Sequence, residues 1–378
     1  MKLLVLPEDG PGAVVASIRG AKSFVEVAIF RFDRADIEAA LKAAVARGVA
    51  VSALIAYTNR GGERGLRKLE MRLLEVGVSV SRTANDLLRY HDKLLIIDRQ
   101  VLCLMSFNFT HLDMGHSRGF AIITRKARLV QEAVRLFAAD STRVTYTAPL
   151  PSLVVSPVNA RKVLGAFILK ARRQLLIYDP SINDPAMLRA LDARRKAGVE
   201  VRVIGHVGKQ NPGLEVRPLG PMRLHTRTII RDGTQAFIGS QSLSPDELDS
   251  RREVGVMVRD RKVLSELTRV FEADWRASAA RESKSAASRA LKKVTKGISK
   301  GLAVELSTLS PIVKEALKET QTGKNGQQLL DPEELKDTVK GAVKEAVRER
   351  VAQVVRKSLG PGAPAGAVAH QVKSRRRP

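Results

Sequence analysis

A polar signature written twice limits what this chain can become. Arg89–Asn108 reads RYHDKLLIIDRQVLCLMSFN, and Arg223–Ser242 reads RLHTRTIIRDGTQAFIGSQS. In each, a basic residue follows the histidine by 2 positions, an aspartate by 7 and a serine by 15: His91, Lys93, Asp98 and Ser106, then His225, Arg227, Asp232 and Ser240. Asn108 in the first copy gives way to Ser242 in the second. Residues two apart on a strand share a face, so His91 would point with Lys93, and Ser106 with Asn108. Burying an imidazole, an ammonium, a hydroxyl and an amide on apolar strands is costly for packing alone. Recurrence at the same offsets makes a chance polar end a poor explanation.

The surroundings repeat as well. Helical periodicity marks Val14–Ala21 and Ala35–Arg47, with Gly48 as the stop, and strand patterning marks Phe24–Phe30 and Val49–Tyr57. Strand, helix, strand in this order predicts a parallel sheet. Further helices are expected at Gly65–Glu75 and Leu129–Asp140, with strands at Val78–Ser81 and Phe120–Thr124. Pro149–Pro157, with three prolines, reads as a connector. Beyond it come helix Lys162–Ala171, strand Gln174–Tyr178, helix Pro185–Ala197 and strand Val199–Gly205. Ala40–Ile55 (ALKAAVARGVAVSALI) and Ala190–Gly205 (ALDARRKAGVEVRVIG) are counterparts, which points to internal duplication.

Charge narrows the class of partner. With 65 Lys+Arg against 39 Asp+Glu the formal net charge is +26, which favours nucleic acid, anionic lipid surfaces or phosphorylated substrates. The single cysteine, Cys103, lies in an apolar run and reads as a small buried hydrophobe. No signal-peptide pattern and no spanning apolar run is visible, so a cytoplasmic protein, peripheral at the membrane, is expected. Residues 281–378 carry 21 Lys+Arg against 10 Asp+Glu. Two helices are expected there, Ala286–Leu306 and Pro332–Leu359, the second with a narrow valine stripe and followed by a disordered end.

Two histidines brought together by a pseudo-twofold, among Lys93, Arg227, Asn108, Ser106 and Ser240, suit phosphoryl chemistry. Cations and neutral donors can hold non-bridging oxygens. One imidazole can attack phosphorus while the other protonates the leaving oxygen. A metal bound by His91, Asp98, His225 and Asp232 would be repelled by Lys93 and Arg227, so neither metal nor cofactor is expected. His111, His116, His206 and His370 have no repeat partner and read as surface or supporting residues.

The repeated HxKxxxxD with its trailing GSxN resembles the phospholipase D superfamily, including its bacterial phospholipase D and cardiolipin synthase-like members, over Leu3–Ala277. The resemblance implies an α/β fold: two pseudo-symmetric α/β/α halves around one active site, plus a mainly helical, basic C-terminal tail. The halves fall at residues 1–148 and 149–278, and the tail at 279–378. It also implies a metal-free covalent phospho-histidine mechanism, with hydrolysis or transfer of a phosphodiester. The carried-over residues are His91, Lys93, Asp98, Ser106 and Asn108, then His225, Asp232, Ser240 and Glu253.

Four positions depart from the pattern. Met105 stands for the first glycine of GSxN, Arg227 for the second lysine and Ser242 for the second asparagine. Glu253 lies 28 after His225, but the same offset from His91 falls on Gly119, so Glu253 is expected to serve His225 and to leave His91 without an acid. Family precedent makes His91 the nucleophile, whereas Glu253 favours His225 as the better-activated base. Catalytic roles are assigned to His91, Lys93, Asp98, His225, Arg227 and Asp232. Phosphate binding or support is assigned to Ser106, Asn108, Ser240, Ser242 and Glu253. The expected function is a phosphodiesterase acting on phospholipid at an anionic membrane surface. The alternatives are a nuclease-like enzyme on DNA or RNA and a catalytically impaired anion-binding scaffold. Both motifs lie in one chain, so a monomer suffices for one site.

Overall fold

In a computed structural model the chain divides into two units, Met1–Arg281 and Glu282–Pro378. The structure describes residues 1–57, 62–148, 150–208, 213–220 and 222–278, all in the first unit. The two expected tail helices lie outside the described residues.

The first unit carries two eight-stranded sheets built on one plan. In the first, Phe24–Ile29 pairs parallel with Ala50–Ile55 and antiparallel with Leu94–Ile97. In the second, Gln174–Ile182 pairs parallel with Glu200–Val207 and antiparallel with Arg227–Arg231. The crossover helices are Ala35–Ala46 and Pro185–Lys196. Ile37, Leu41 and Ala44 form the buried stripe of one, and Met187, Leu188 and Leu191 that of the other. Asp184 caps the second helix by accepting from the amides of Ala186 and Met187. Gly48 and Gly198 follow the two helices at φ +83° and +82°, a conformation that favours glycine at the turn into the next strand.

Strand alternation distributes apolar side chains between cores. Leu94, Ile96, Leu102 and Leu104 face a central core shared with Leu176, Tyr178, Ile230 and Ile238 of the second sheet. Helices Ala127–Thr142 and 261–278 contribute Leu136, Leu267 and Phe271 to the same core. Leu95, Ile97, Cys103 and Met105 face outward, under helices Gly12–Arg19 and Ala35–Ala46. Cys103 is buried as a small hydrophobe, and burial alone raises its thiol pKa to about 12.

Several strands were not marked from the sequence, among them two edge segments. Lys2–Leu6 pairs antiparallel with Ser117–Thr124, and Leu153–Ser156, inside the expected connector, pairs antiparallel with Arg251–Val258. Pro7 and Pro157 follow these strands directly and cost them no ladder hydrogen bond. The two segments are equivalent edge additions, one to each sheet.

The sheets also trade strands, and this places the site. Arg89–Tyr90 of the first half pairs with Arg251 and Arg252 of the second sheet. Arg223–Leu224 of the second half pairs with Ser117 and Arg118 of the first sheet. The chain then crosses back into its own sheet at Leu94 and Arg227. Each histidine therefore sits where the chain passes between sheets.

Candidate active site

Backbone pairing holds each crossover in register with the opposite half. The His91 amide donates to the Arg252 carbonyl at 2.8 Å, and the His225 amide donates to the Arg118 carbonyl at 3.1 Å. The same two arginines bridge the halves through their side chains. Arg118 donates to both oxygens of Asp274 at 2.8 and 3.0 Å, and Arg252 donates to Asp140 at 3.0 Å. Each also caps a carbonyl at the end of an edge strand, Leu6 for Arg118 and Ser156 for Arg252. These are buried charges satisfied on several sides, and losing one partner from such a pair typically costs about 3–5 kcal/mol.

Trading strands reassigns the acid. Glu253 sits beside the His91 amide's acceptor, and its carboxylate reaches His91 Nδ1 at 2.9 and 3.0 Å. Glu253 therefore serves His91, across the halves, and not His225 as its sequence offset suggested. Offset from a histidine along one chain cannot reveal this, because the pairing partner of each crossover belongs to the other copy. By the same symmetry it is His225 that faces Gly119. A Cβ on Gly119 would lie 2.9 Å from the Phe107 ring, so a buried phenyl group fills the space where an acid would stand. His225 Nδ1 is buried without a hydrogen-bond partner, and its Nε2 lies 3.6 Å from Asp113.

A cavity of about 710 Å³ opens over this junction, with His91, His225, Asn108 and Arg227 on its wall. Arg31, Arg72, Arg89, Arg223 and Arg251 line it too, so six arginines face three acids, Asp33, Asp113 and Glu247. Phe30 packs edge-on to His91 with ring centroids 4.9 Å apart.

The remaining assigned residues fall into place beneath or away from this wall. Lys93 is fully buried and its ammonium donates to the His91 carbonyl. Arg227 makes the equivalent bond to the His225 carbonyl at 2.9 Å. Its fork also donates to Ser242 Oγ at 3.1 Å and to Glu247 at 3.4 Å. Ser106 Oγ accepts from the Phe120 amide at 2.9 Å, and Ser240 Oγ accepts from the Val254 amide at 3.2 Å. The serines thus secure the strands that carry Gly119 and Glu253 and do not line the cavity. Met105 is in the outer core, so it does not crowd the phosphate approach.

Asp98 and Asp232 require a larger correction. They were assigned catalytic roles, yet neither lines the cavity. Asp98, at φ 51°, accepts the amides of Lys22, Ser23 and Phe24 at 2.7–3.1 Å. Asp232, at φ 54°, accepts those of Arg172, Arg173 and Gln174 at 2.7–3.1 Å. Each aspartate pins the start of its sheet's central strand, at the end away from the histidines. Burial pushes both carboxyls up, but those amides together bring them below the usual range.

Two acids went unrecognised, although a signal was present. Asp113 and Glu247 each lie 22 residues after a motif histidine. Asp113 accepts from the Asn108 amide and side chain at 2.9 and 2.8 Å, and Glu247 accepts from the Ser242 amide at 2.6 Å. A long amide meets a short acid in one half, and a short hydroxyl meets a long acid in the other.

Electrostatics favour neutral imidazoles before substrate arrives. Burial, then the charges of Lys93 and Arg227, hold His91 well below its ordinary pKa. His225 is also pushed well down by burial, against the pull of Asp113. Lys93 is lowered to about 8 by burial, less the attraction of Glu253. Burial and Glu247 raise the Glu253 carboxyl, opposed by Lys93 and Arg227.

Comparison with known proteins agrees with this architecture. A family model described as "Cardiolipin synthase, PLD-like domain" matches residues 14–141 and 164–275. No curated protein matches the chain. Among solved structures, a polyphosphate kinase from Porphyromonas gingivalis superposes with TM-score 0.62 at 20% identity, covering 73% of this chain and 47% of the kinase. The chain thus spans about half the kinase's length. A phosphatidylserine synthase from Haemophilus influenzae Rd KW20 superposes with TM-score 0.59 at 13% identity, covering 73% of this chain and 86% of the synthase. These likenesses show the fold. With the family model spanning both halves, and each half carrying its own histidine motif, the chain belongs to the cardiolipin synthase-type, PLD-like domain family of the phospholipase D superfamily.

Proposed function

We propose that the protein hydrolyses phospholipids, or transfers their phosphatidyl group, through a covalent phospho-histidine on His91. The observation that carries this reading is the His91–Glu253 contact, made across the halves at 2.9 Å on the wall of a cavity shared with His225. With Nδ1 held by a carboxylate, Nε2 is the nitrogen left to attack phosphorus, and the developing imidazolium is stabilised by Glu253. The new N–P bond forms as the P–O bond to the head group breaks, and His225 gives its proton to the departing oxygen. Water then attacks phosphorus while His225 takes back a proton. The N–P bond breaks and His91 is restored. An alcohol in place of water gives transfer.

Arg227 and the Asn108 amide, both on the wall, are placed to hold the non-bridging oxygens, with the Lys93 charge just beneath. An arriving phosphodiester adds negative charge beside His225 and, with Asp113, favours its protonated form. The net charge of +26 suits approach to an anionic membrane surface.

The test offers the purified protein labelled phosphatidylcholine, phosphatidylglycerol and single-stranded DNA, each with chelator present. Phosphatidate, or a transphosphatidylation product when an alcohol is added, supports the proposal. Shortened DNA with intact lipid overturns it in favour of a nuclease. Lipid turnover that chelator abolishes overturns the metal-free chemistry. No turnover of any substrate, with ligand binding that His91→Ala leaves unchanged, identifies an anion-binding scaffold.

A further inference from the structure

A second cavity, of about 1100 Å³, lies at the other ends of the strands that carry the site. Arg251 is on the wall of the first cavity and Met257 and Val258 are on the wall of the second, along one strand. Arg227 and Arg231 divide in the same way on a second strand of the same sheet, with Gln235–Gly239 between the two. At about 3.3 Å per residue these spans separate the walls of the two cavities by roughly 13–20 Å. One head group cannot occupy both.

The second cavity has a distinct chemistry. Its rim carries Lys126, Arg128, Lys162, Lys170, Arg231 and Arg259, and among the described residues no Asp or Glu lines it. The acids nearest in sequence are already engaged. Glu132 is bonded by Arg135 and Tyr146, Asp232 by three amides, and Asp260 by the amides of Lys262 and Val263. Between the cations lies an aliphatic floor that includes Leu129, Leu150, Val163 and Met257. The Arg231 guanidinium already covers the Phe167 ring, 4.4 Å from its centroid, which removes the aromatic face on which a base would stack.

We infer that this groove is a binding site for a single anionic lipid molecule, with its phosphate or carboxylate held by the Lys162, Lys170 and Arg259 side of the rim and its hydrocarbon on the aliphatic floor. Concave walls suit one amphiphile better than a flat bilayer surface. Uncompensated cations supply the selection for negative charge. Bound there, a lipid anion leaves the catalytic cavity open.

The inference does not depend on which diester is turned over, and the test keeps the two questions apart. Monomeric dihexanoyl phosphatidate, dihexanoyl phosphatidylcholine and a short single-stranded oligonucleotide are titrated calorimetrically into the full-length protein. The same titrations use the Lys162→Glu, Lys170→Glu, Arg259→Glu triple variant. The expected result is two phosphatidate-binding events in the wild type, one of them weakened at least about tenfold in the variant. The melting temperature and the hydrolysis of a soluble aryl phosphodiester should stay unchanged. Equal phosphatidate binding by both proteins overturns the inference. So does equal affinity of the wild type for phosphatidylcholine. Oligonucleotide binding that the variant loses, with phosphatidate binding intact, assigns the groove to nucleic acid instead. Should the variant misfold, phosphatidate carrying a photoreactive acyl chain gives an independent reading on the wild type. Crosslinks within residues 160–170 and 257–259 support the site, and crosslinks confined to the catalytic cavity overturn it.

Discussion

His91 Nδ1 and the Glu253 carboxylate lie 2.9 Å apart although 162 residues separate them in the chain. The contact exists because Arg89–Tyr90 leaves its own sheet to pair with Arg251 and Arg252. One histidine of the site therefore has a carboxylate partner on its outer nitrogen. The other has a phenylalanine ring near the place where such a partner would be.

Glu253→Gln keeps the shape of the pair and removes its charge. A glutamine can present its NH₂ to Nδ1, which selects the wrong tautomer for attack through Nε2. Turnover should fall about 10²–10⁴-fold, with a much smaller change in KM. Steady-state kinetics on a soluble phosphodiester measures this, and a loss confined to KM would contradict the role given to Glu253.

Gly119 and Phe107 should behave as a unit. Gly119→Ala places a methyl 2.9 Å from the buried Phe107 ring and should cost about 1–3 kcal/mol in urea unfolding. With Phe107→Leu already in place the same change should cost distinctly less, since the two sites are in contact. Strict additivity of the two costs would contradict the packing described.

Arg227 is more than a charge near phosphate, since its fork joins the His225 carbonyl, Ser242 and Glu247. Arg227→Lys should therefore lower kcat/KM by about tenfold or more, because an ammonium cannot reach all three acceptors. Adding Ser242→Asn, which restores the pairing of lysine with asparagine seen in the first half, should recover part of that loss. An Arg227→Lys enzyme as active as wild type would show that only the charge matters.

Lys93 leaves a pH signature in stability. Its folded pKa, lowered to about 8 by burial, lies below the ordinary 10.5. Between these values the unfolded chain holds a proton that the folded chain has released, so this group's contribution to stability rises with pH across that window. Below pH about 8 the buried ammonium opposes folding in full. Lys93→Met removes the contribution, so the variant's stability relative to wild type should decline from pH 8 to 10.5, by at most about 3 kcal/mol. Paired urea titrations across that range would show the decline, and a pH-independent difference would contradict it.

Much of the architecture was legible because duplication wrote it twice. Two HxKxxxxD-type copies and the matched helix–Gly–strand joints at Gly48 and Gly198 located both halves and the residues that meet between them. Periodicity found the crossover helices because their buried stripes are long enough to show. It missed Lys2–Leu6 and Leu153–Ser156, whose strand character comes from partners more than 90 residues away. Assigning Glu253 to the right histidine required the pairing of Arg89 with Arg251, a tertiary fact that no offset encodes. Asp98 and Asp232 were misread for a related reason. Their spacing marks a shared structural duty, pinning a strand start, which looks the same in sequence as a shared chemical one. Asp113 and Glu247 could have been found, since both stand 22 residues after a histidine, but a conservative change between acids is quieter than an identity.

The most direct measurement is to trap the covalent intermediate. Protein mixed with a substrate labelled in its phosphate is quenched within a single turnover and digested under conditions that preserve phospho-histidine, and the labelled peptide is sequenced. The label should lie on His91, should accumulate in His225→Ala when the leaving group is an aryl alcohol, and should be strongly reduced in Glu253→Gln. Label on His225, with His91→Ala still forming it, would contradict the account at its centre.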